Sequence, residues 1–121
     1  MKRLVFWDVD TQVDFMTPSG KLHVPGAEDI IPVLGRLTDY AHERGIRIIA
    51  SADDHVAGHK ELSATPDYKE TFPEHCMRGT PGQEKIPETA LVDPLDIVGI
   101  PPEPCNVVGI ARLQDMSNET H

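Results

Sequence analysis

Apolar residues along this chain follow two different spacings, one typical of strands and one typical of a helix. Short apolar, β-branched runs at residues 3–9 and 46–52 predict two strands. Between them, apolar positions recur every three or four residues, which predicts a helix over residues 27–44 that Gly45 ends. A strand, a helix and a strand in this order predict a parallel pair joined by a right-handed crossover. Two further strand-like runs follow, at residues 95–100 and 106–111.

The first apolar run leads directly into acidic residues, with Asp8, Asp10 and Asp14 close together. Because that run is continuous, we expect a strand buried on both faces, with Phe6 and Trp7 in the core. Parallel α/β sheets carry their chemistry just beyond the carboxyl ends of such strands. The pattern therefore predicts Asp10 at the mouth of a site.

The second predicted strand is followed by a long polar segment that holds three of the six histidines, namely His55, His59 and His75. Asp53 and His55 are two positions apart, so in extended chain their side chains point to the same side. Carboxylate and imidazole groups are ligands that Zn²⁺, Mn²⁺ and Fe²⁺ accept. A loop of solvated histidines is the alternative, but acids and histidines that reach one rim from two strands favour an active site.

Three linked motifs, spread in order over about residues 4–90, carry a family resemblance. The chain resembles the isochorismatase-like cysteine hydrolases, and among them the nicotinamidases. The motifs are Asp10-x-Gln12-x-Asp14-Phe15, Asp53-x-His55 and Phe72-Pro73-x-His75-Cys76-x-x-Gly79-Thr80-x-Gly82. The resemblance implies an α/β three-layer sandwich with a parallel, Rossmann-like sheet.

The resemblance also implies roles for individual residues. Asp10 would be the catalytic acid/base, and Phe15 would contact the substrate. The implied metal ligands are Asp53, His55 and His75, with His59 as a further ligand or a neighbour of the ligands. Zinc is the expected ion, with manganese and iron as alternatives.

The chain also departs from the family pattern. The family nucleophile is a cysteine at a strand-to-helix turn, and neither Cys76 nor Cys105 has that context. Lys85 lies too close to the Gly-Thr-Pro-Gly turn to be the family's catalytic lysine. We therefore expect residues 1–121 to be a single hydrolase domain that lacks its carboxyl-terminal part and is inactive alone.

The activity implied for the intact enzyme is hydrolysis of a small carboxamide such as nicotinamide, with release of ammonia. An isochorismatase-type ether hydrolase is an alternative, although family members of that type lack the metal site. A phosphatase of the haloacid dehalogenase type would use Asp8 as nucleophile and Asp10 as acid/base, but Thr11-Gln12 replaces its usual Gly-Thr. A non-enzymatic metal-binding module is the third alternative.

The composition of the chain excludes some classes of binding partner. A net charge of −9 argues against nucleic acid, because phosphate backbones are bound by clustered Lys and Arg. No apolar run is long enough to span a membrane. The partner that the resemblance implies is a small-molecule amide. Two cysteines beside a metal-type segment favour a reducing, cytoplasmic environment. Partly covered apolar faces predict a homo-oligomer.

Overall fold

The computed structural model describes residues 3–91 and, as backbone, two strands at 94–99 and 106–111. The four described strands are β1 (Val5–Val9), β2 (Arg47–Asp53), β3 (Pro94–Gly99) and β4 (Asn106–Ala111). They form one sheet in the order β1-β2-β4-β3. β1 and β2 pair in parallel, with Val5 opposite Arg47 and Val9 opposite Ser51. The α/β fold and its parallel opening pair are confirmed.

The second half of the sheet is antiparallel, so the described sheet is mixed. β4 pairs antiparallel with both β2 and β3. Too few residues separate Gly99 from Asn106 for a parallel crossover, which needs roughly a dozen. The two strands predicted at residues 95–100 and 106–111 therefore form an antiparallel pair at the edge of the sheet.

The predicted helix is present as α2 (Ile31–Arg44), preceded by a 3₁₀ turn at Ala27–Ile30. Gly45 ends it in the left-handed region, at φ 65°, and its N–H points to carbonyls of the last turn. Glycine adopts that conformation without steric cost. The helix packs its buried Ala41 against Ile48 of β2, and this core also includes Phe6, Ile46 and Leu91.

A short helix that the sequence pattern does not predict, α1 (Val13–Met16), follows β1. Its Met16 packs in a second small core with Ala27 and Ile86. α1 directs the side chains of Gln12 and Asp14 inward, and these two polar residues are almost completely buried. The segment after β1 is therefore folded against the later loop instead of lying open at the sheet edge.

One prediction about β1 is wrong. Its burial alternates along the strand, and Trp7 is 66% exposed instead of lying in the core. Alternate residues of a strand point to opposite faces, and α2 covers only the face that bears Phe6. Val5, Trp7 and Val9 lie on the other face, which the described residues leave open. None of the described helices has the length and apolar character needed to cross a membrane.

Candidate metal centre and neighbouring carboxylates

Three side chains converge where β2 ends. Asp53 is the last residue of that strand, His55 follows two positions later, and His75 arrives from the long loop. Asp53 Oδ2 lies 3.5 Å from His55 Nε2 and 3.4 Å from His75 Nε2. One donor atom from each residue lies within 4.8 Å of the other two, which is compact enough for all three to bind one ion. The structure thus brings together the three main ligands predicted from the sequence.

Backbone hydrogen bonds hold the two histidine segments together. The N–H of His55 donates to the carbonyl of Cys76, and the N–H of Arg78 donates to the carbonyl of His55. The Arg78 guanidinium also binds the buried carboxylate of Asp54 through Nε and Nη2, at 2.9 and 2.6 Å. That hydrogen bond lowers the pKa of Asp54. These hydrogen bonds hold the segment that follows His75 beside His55, just beyond the end of β2.

The hydrogen bond on the far ring nitrogen of His75 determines which nitrogen faces the cluster. Its Nδ1 lies 2.7 Å from the carbonyl oxygen of Pro73. A carbonyl only accepts, so Nδ1 carries the hydrogen, and the Nε2 of a neutral ring presents its lone pair to Asp53. Metal-ligating histidines characteristically make this kind of outer hydrogen bond.

His59 orients His55 in the same way. The Nδ1 of His59 accepts the N–H of Val56 at 3.3 Å and lies 3.1 Å from the Nδ1 of His55. His55 therefore donates from Nδ1, which leaves its buried Nε2 facing the carboxylates of Asp53 and Glu61. In this geometry His59 contacts the outer nitrogen of His55 and does not join the three donors around Asp53.

The charges of the cluster suit a cation. Burial raises the pKa of Asp53, but hydrogen bonds with His55 and His75 outweigh it and lower the value to about 2. Burial lowers the pKa of His75, whereas its hydrogen bonds with Asp53 and Pro73 raise it overall. Two imidazole lone pairs facing a carboxylate repel it unless a positive charge lies between them. A proton on one ring would supply that charge through a hydrogen bond to Asp53, and a divalent ion fits the same donors.

Glu61 also reaches the cluster, although the sequence motifs do not predict it as a site residue. Its Oε1 lies 2.9 Å from His55 Nε2, and its side chain is 40% exposed. A second carboxylate therefore reaches the cluster from the solvent side. In the sequence, Glu61 lies six positions after His55, within a segment that is rich in residues of the types that bind metal ions.

Asp10 lies just beyond β1 in an unusual backbone conformation. Its φ is 55°, in the left-handed region that non-glycine residues rarely occupy, and its N–H donates to the carbonyl of Ser51. Its buried Oδ1 has no hydrogen-bond partner among the described residues. Burial, followed by the negative charge of Asp53, raises the pKa of Asp10 to about 6. Asp10 can therefore exchange a proton near neutral pH, as its predicted role requires.

Lys85 supplies a half-buried cation whose charge lowers the pKa of Asp10. Its Nζ donates to the carbonyl of Ser51 at 2.9 Å and to Thr11 Oγ1 at 3.3 Å, and it lies 3.4 Å from Asp8 Oδ2. Thr11 in turn donates to Asp8 Oδ1 at 2.7 Å. Burial lowers the pKa of Lys85. The spacing of Lys85 from the Gly-Thr-Pro-Gly turn does not fit the family's catalytic lysine, yet the structure places Lys85 where β1 and β2 both end.

Phe15 connects the two halves of the site. Its ring centroid lies 5.4 Å from that of His75. Phe15 and Asp10 both line an open cavity of about 990 Å³ that runs along β1 and is also lined by residues of α2. The predicted substrate-binding residue and the predicted acid/base therefore face one mostly apolar space.

Comparison with known proteins points to one family. No protein-family model matches the chain. The nicotinamidase/pyrazinamidase of Mycobacterium tuberculosis (strain ATCC 25618 / H37Rv) is 37% identical over 83 residues, covering 65% of this chain and 41% of that protein. The nicotinamidase of Escherichia coli (strain K12) is 34% identical over 91 residues, covering 65% and 42%. The crystal structure of pyrazinamidase of Pyrococcus horikoshii in complex with zinc aligns with a TM-score of 0.59 at 32% identity, covering 74% of this chain and 49% of that one.

The chain has the isochorismatase-like fold and is similar to the amino-terminal part of the nicotinamidases. The resemblance seen in the three sequence motifs is thereby confirmed. The chain spans about two fifths of the length of the two curated relatives, at 41% and 42%.

Within this isochorismatase-like chain, Cys76 does not have the environment of a nucleophile. Its side chain is fully buried, and burial together with the charges of Asp53 and Asp14 raises the pKa of its thiol. A reactive cysteine needs a lowered pKa and access to its substrate. The expectation that Cys76 is not the nucleophile agrees with this geometry, and Cys105 lies outside the described residues.

Proposed function

We propose that this chain provides the metal centre and the acid/base of an amidase that hydrolyses a small carboxamide such as nicotinamide. The observation that carries the proposal is the convergence of Asp53, His55 and His75 beside a carboxyl group, Asp10, whose pKa is raised to about 6. The two similar proteins described above are a nicotinamidase/pyrazinamidase and a nicotinamidase, which supports a carboxamide as substrate.

In the proposed reaction Asp10 is the group that moves protons. It takes the proton of an attacking thiol and returns it to the departing nitrogen, so ammonia leaves and water then hydrolyses the thioester to the acid. The thiol comes from outside the described residues, because Cys76, the cysteine they contain, is buried with a raised pKa. Phe15 packs against the ring of the substrate in the cavity that it shares with Asp10.

Asp53, His55 and His75 would hold the ion, and we propose Glu61 as a further ligand and His59 as the outer partner of His55. Zinc suits a set of two imidazoles and carboxylates, and manganese and iron accept the same ligands. A bound ion would supply Lewis acidity and a fixed point for orienting the substrate. We also propose a homo-oligomer in the cytoplasm that binds neither nucleic acid nor membranes.

The first test measures metal content. Protein purified without chelator, and protein reloaded with zinc after chelation, should each hold about one ion per chain by elemental analysis. His75→Ala should hold much less. His23→Ala is the matched control, because His23 pairs with Glu28 at 2.7 Å, away from the cluster. Equal metal content in both variants would contradict the assigned ligands.

The second test measures activity. A form of the protein that releases ammonia from nicotinamide should lose that activity on chelation and regain it with zinc. Zinc binding without hydrolysis in every available form would favour the metal-binding module. Hydrolysis that survives complete removal of metal would contradict the metal-dependent amidase.

A further inference from the structure

Asp14 is a buried acid that the proposed reaction does not use. Its side chain is 5% exposed, and each carboxylate oxygen accepts a backbone hydrogen bond. The N–H of Cys76 donates to Oδ2 at 2.8 Å, and the N–H of Lys21 donates to Oδ1 at 3.0 Å. A carboxylate fits this position because both of its oxygens accept, whereas an amide offers one acceptor and one donor.

The space around this carboxylate is created by Gly82, in the Gly-Thr-Pro-Gly turn. A Cβ at Gly82 would overlap the side-chain oxygens of Asp14. Gly79, in the same turn, is the glycine with a positive φ, at 79°. The turn therefore uses one glycine for its conformation and the other for close approach to Asp14.

Asp14 holds Cys76, which has a strained backbone conformation and links His75 to the segment that carries His55. Cys76 has a φ of 49°, which is unfavourable for a residue with a side chain. It directly follows His75 in sequence, and its carbonyl accepts the N–H of His55 at 3.2 Å. One peptide segment thus links the carboxylate of Asp14 to both histidines of the cluster.

We propose that Asp14, seated against Gly82, is a positioning residue for the metal centre, where it holds Cys76 in the left-handed conformation that sets the spacing of His55 and His75. This inference rests on the proposed metal site. Partners that orient metal ligands without touching the ion commonly contribute about 10–100-fold to metal affinity. Asp14 is not a ligand itself, so its loss should change the affinity and geometry of the site but not the number of ions.

The test uses cobalt(II) as a spectroscopic probe in the complete 121-residue chain. Asp14→Asn removes one acceptor, and Gly82→Ala displaces an intact Asp14 carboxylate. Asp39→Asn and Gly35→Ala are controls on α2, where Asp39 is exposed and a Cβ at Gly35 makes only ordinary contacts with Glu88. Dissociation constants come from competition with a chelator, and the visible absorption of bound cobalt reports its ligand geometry.

We expect both test variants to bind one cobalt ion per chain about 10–100-fold more weakly, with a changed absorption spectrum. The two control variants should match the wild type. Folding of each metal-free variant is measured separately by circular dichroism and thermal unfolding. The shared spectral change is the signature of positioning, because a loss of stability alone would leave the spectrum of the folded, loaded protein unchanged.

The remaining outcomes overturn the inference in distinguishable ways. Folded test variants with the affinity and spectrum of the wild type would leave the metal centre intact and refute the role of Asp14. Test variants that both fail to fold while the controls fold would assign Asp14 to stability alone. A wild-type chain that binds no cobalt or zinc would refute the proposed metal site together with this inference.

Discussion

Gln12 and Asp53 exchange two hydrogen bonds, each 2.9 Å long. The Nε2 of Gln12 donates to the carbonyl of Asp53, and the N–H of Asp53 donates to the Oε1 of Gln12. The same Nε2 also donates to the carbonyl of Gln83 at 2.8 Å, and the side chain is fully buried. A side-chain amide thus continues the pairing of β1 with β2 beyond Val9. It ties the segment that carries Asp10 to the backbone of a proposed metal ligand.

Replacing Gln12 with Glu should therefore destabilise the protein. The new carboxylate would face two carbonyl oxygens, and a buried acceptor left unsatisfied costs about 1–3 kcal/mol, or more when it is charged. We expect the free energy of unfolding in urea to fall by at least that amount at pH 8. Glu43→Gln, at an exposed position of α2, is the control for a change between the same two residue types. An unchanged unfolding midpoint for Gln12→Glu would show that these hydrogen bonds contribute little.

Local patterns were enough to predict the opening of the fold and part of the site. The strand and helix periods determine β1, α2 and β2, and the alternation of side chains in extended chain places Asp53 and His55 on one side. His75 could be assigned only through the family motif, because no local rule brings a residue from a long loop back to β2.

Other features depend on tertiary contacts that no short sequence pattern encodes. The contact of Glu61 with His55 and that of Lys85 with Ser51 depend on the path of the loop. The hydrogen bond between Asp14 and Cys76 joins residues 62 positions apart. The prediction for Trp7 was wrong because a continuous apolar run does not reveal whether a second layer covers the strand.

Asp10→Asn tests the acid/base directly. Asparagine keeps the size and polarity of the side chain but cannot take up or release the proton, so turnover should fall by about 10²–10⁴-fold. The measurement is steady-state release of ammonia by a form of the protein that hydrolyses nicotinamide. Asp39→Asn should leave the rate unchanged. A loss smaller than about fivefold would remove Asp10 from the proposed reaction.

The same substitution should stabilise the metal-free chain in a pH-dependent way. The pKa of Asp10 is raised to about 6 in the folded state from 3.8, so ionisation opposes folding. This penalty is absent below about pH 4, grows between about pH 4 and pH 6, and reaches its full size above about pH 6. The unfolding temperature of Asp10→Asn, relative to the wild type, should therefore increase from pH 4 to pH 7. Calorimetry in the presence of a chelator measures this difference, and a constant offset across the range would contradict it.

Lys85→Met keeps most of the side-chain volume but removes the half-buried cation. Lys85 lowers the pKa of Asp10, so its loss should raise that pKa above about 6 and move the acidic limb of the activity profile to higher pH. The carbonyl of Ser51 also loses one of its two donors but keeps the N–H of Asp10, so this loss should cost about 0.5–1.5 kcal/mol of stability. Carboxyl NMR titration of Asp10 measures the shift, with Lys60→Met, at an exposed position, as the control. A lower pKa of Asp10 in Lys85→Met would contradict this electrostatic role.

The uncovered face of β1 should make the 121-residue chain self-associate. Trp7 is 66% exposed, Val9 57% and Val5 48%, and among the described strands β1 pairs only with β2. Contiguous exposed apolar surface and an unpaired strand edge both promote association. Light scattering coupled to size exclusion should therefore show a mass above that of the monomer that rises with concentration.

Trp7→Lys should reduce this association, because a charge in the middle of the apolar face opposes its burial. Tyr68→Lys is the matched control, because Tyr68 is 62% exposed but lies in the long loop, away from β1. It should associate like the wild type. A monodisperse wild-type monomer with one cooperative thermal transition would show instead that the chain tolerates this open face in solution.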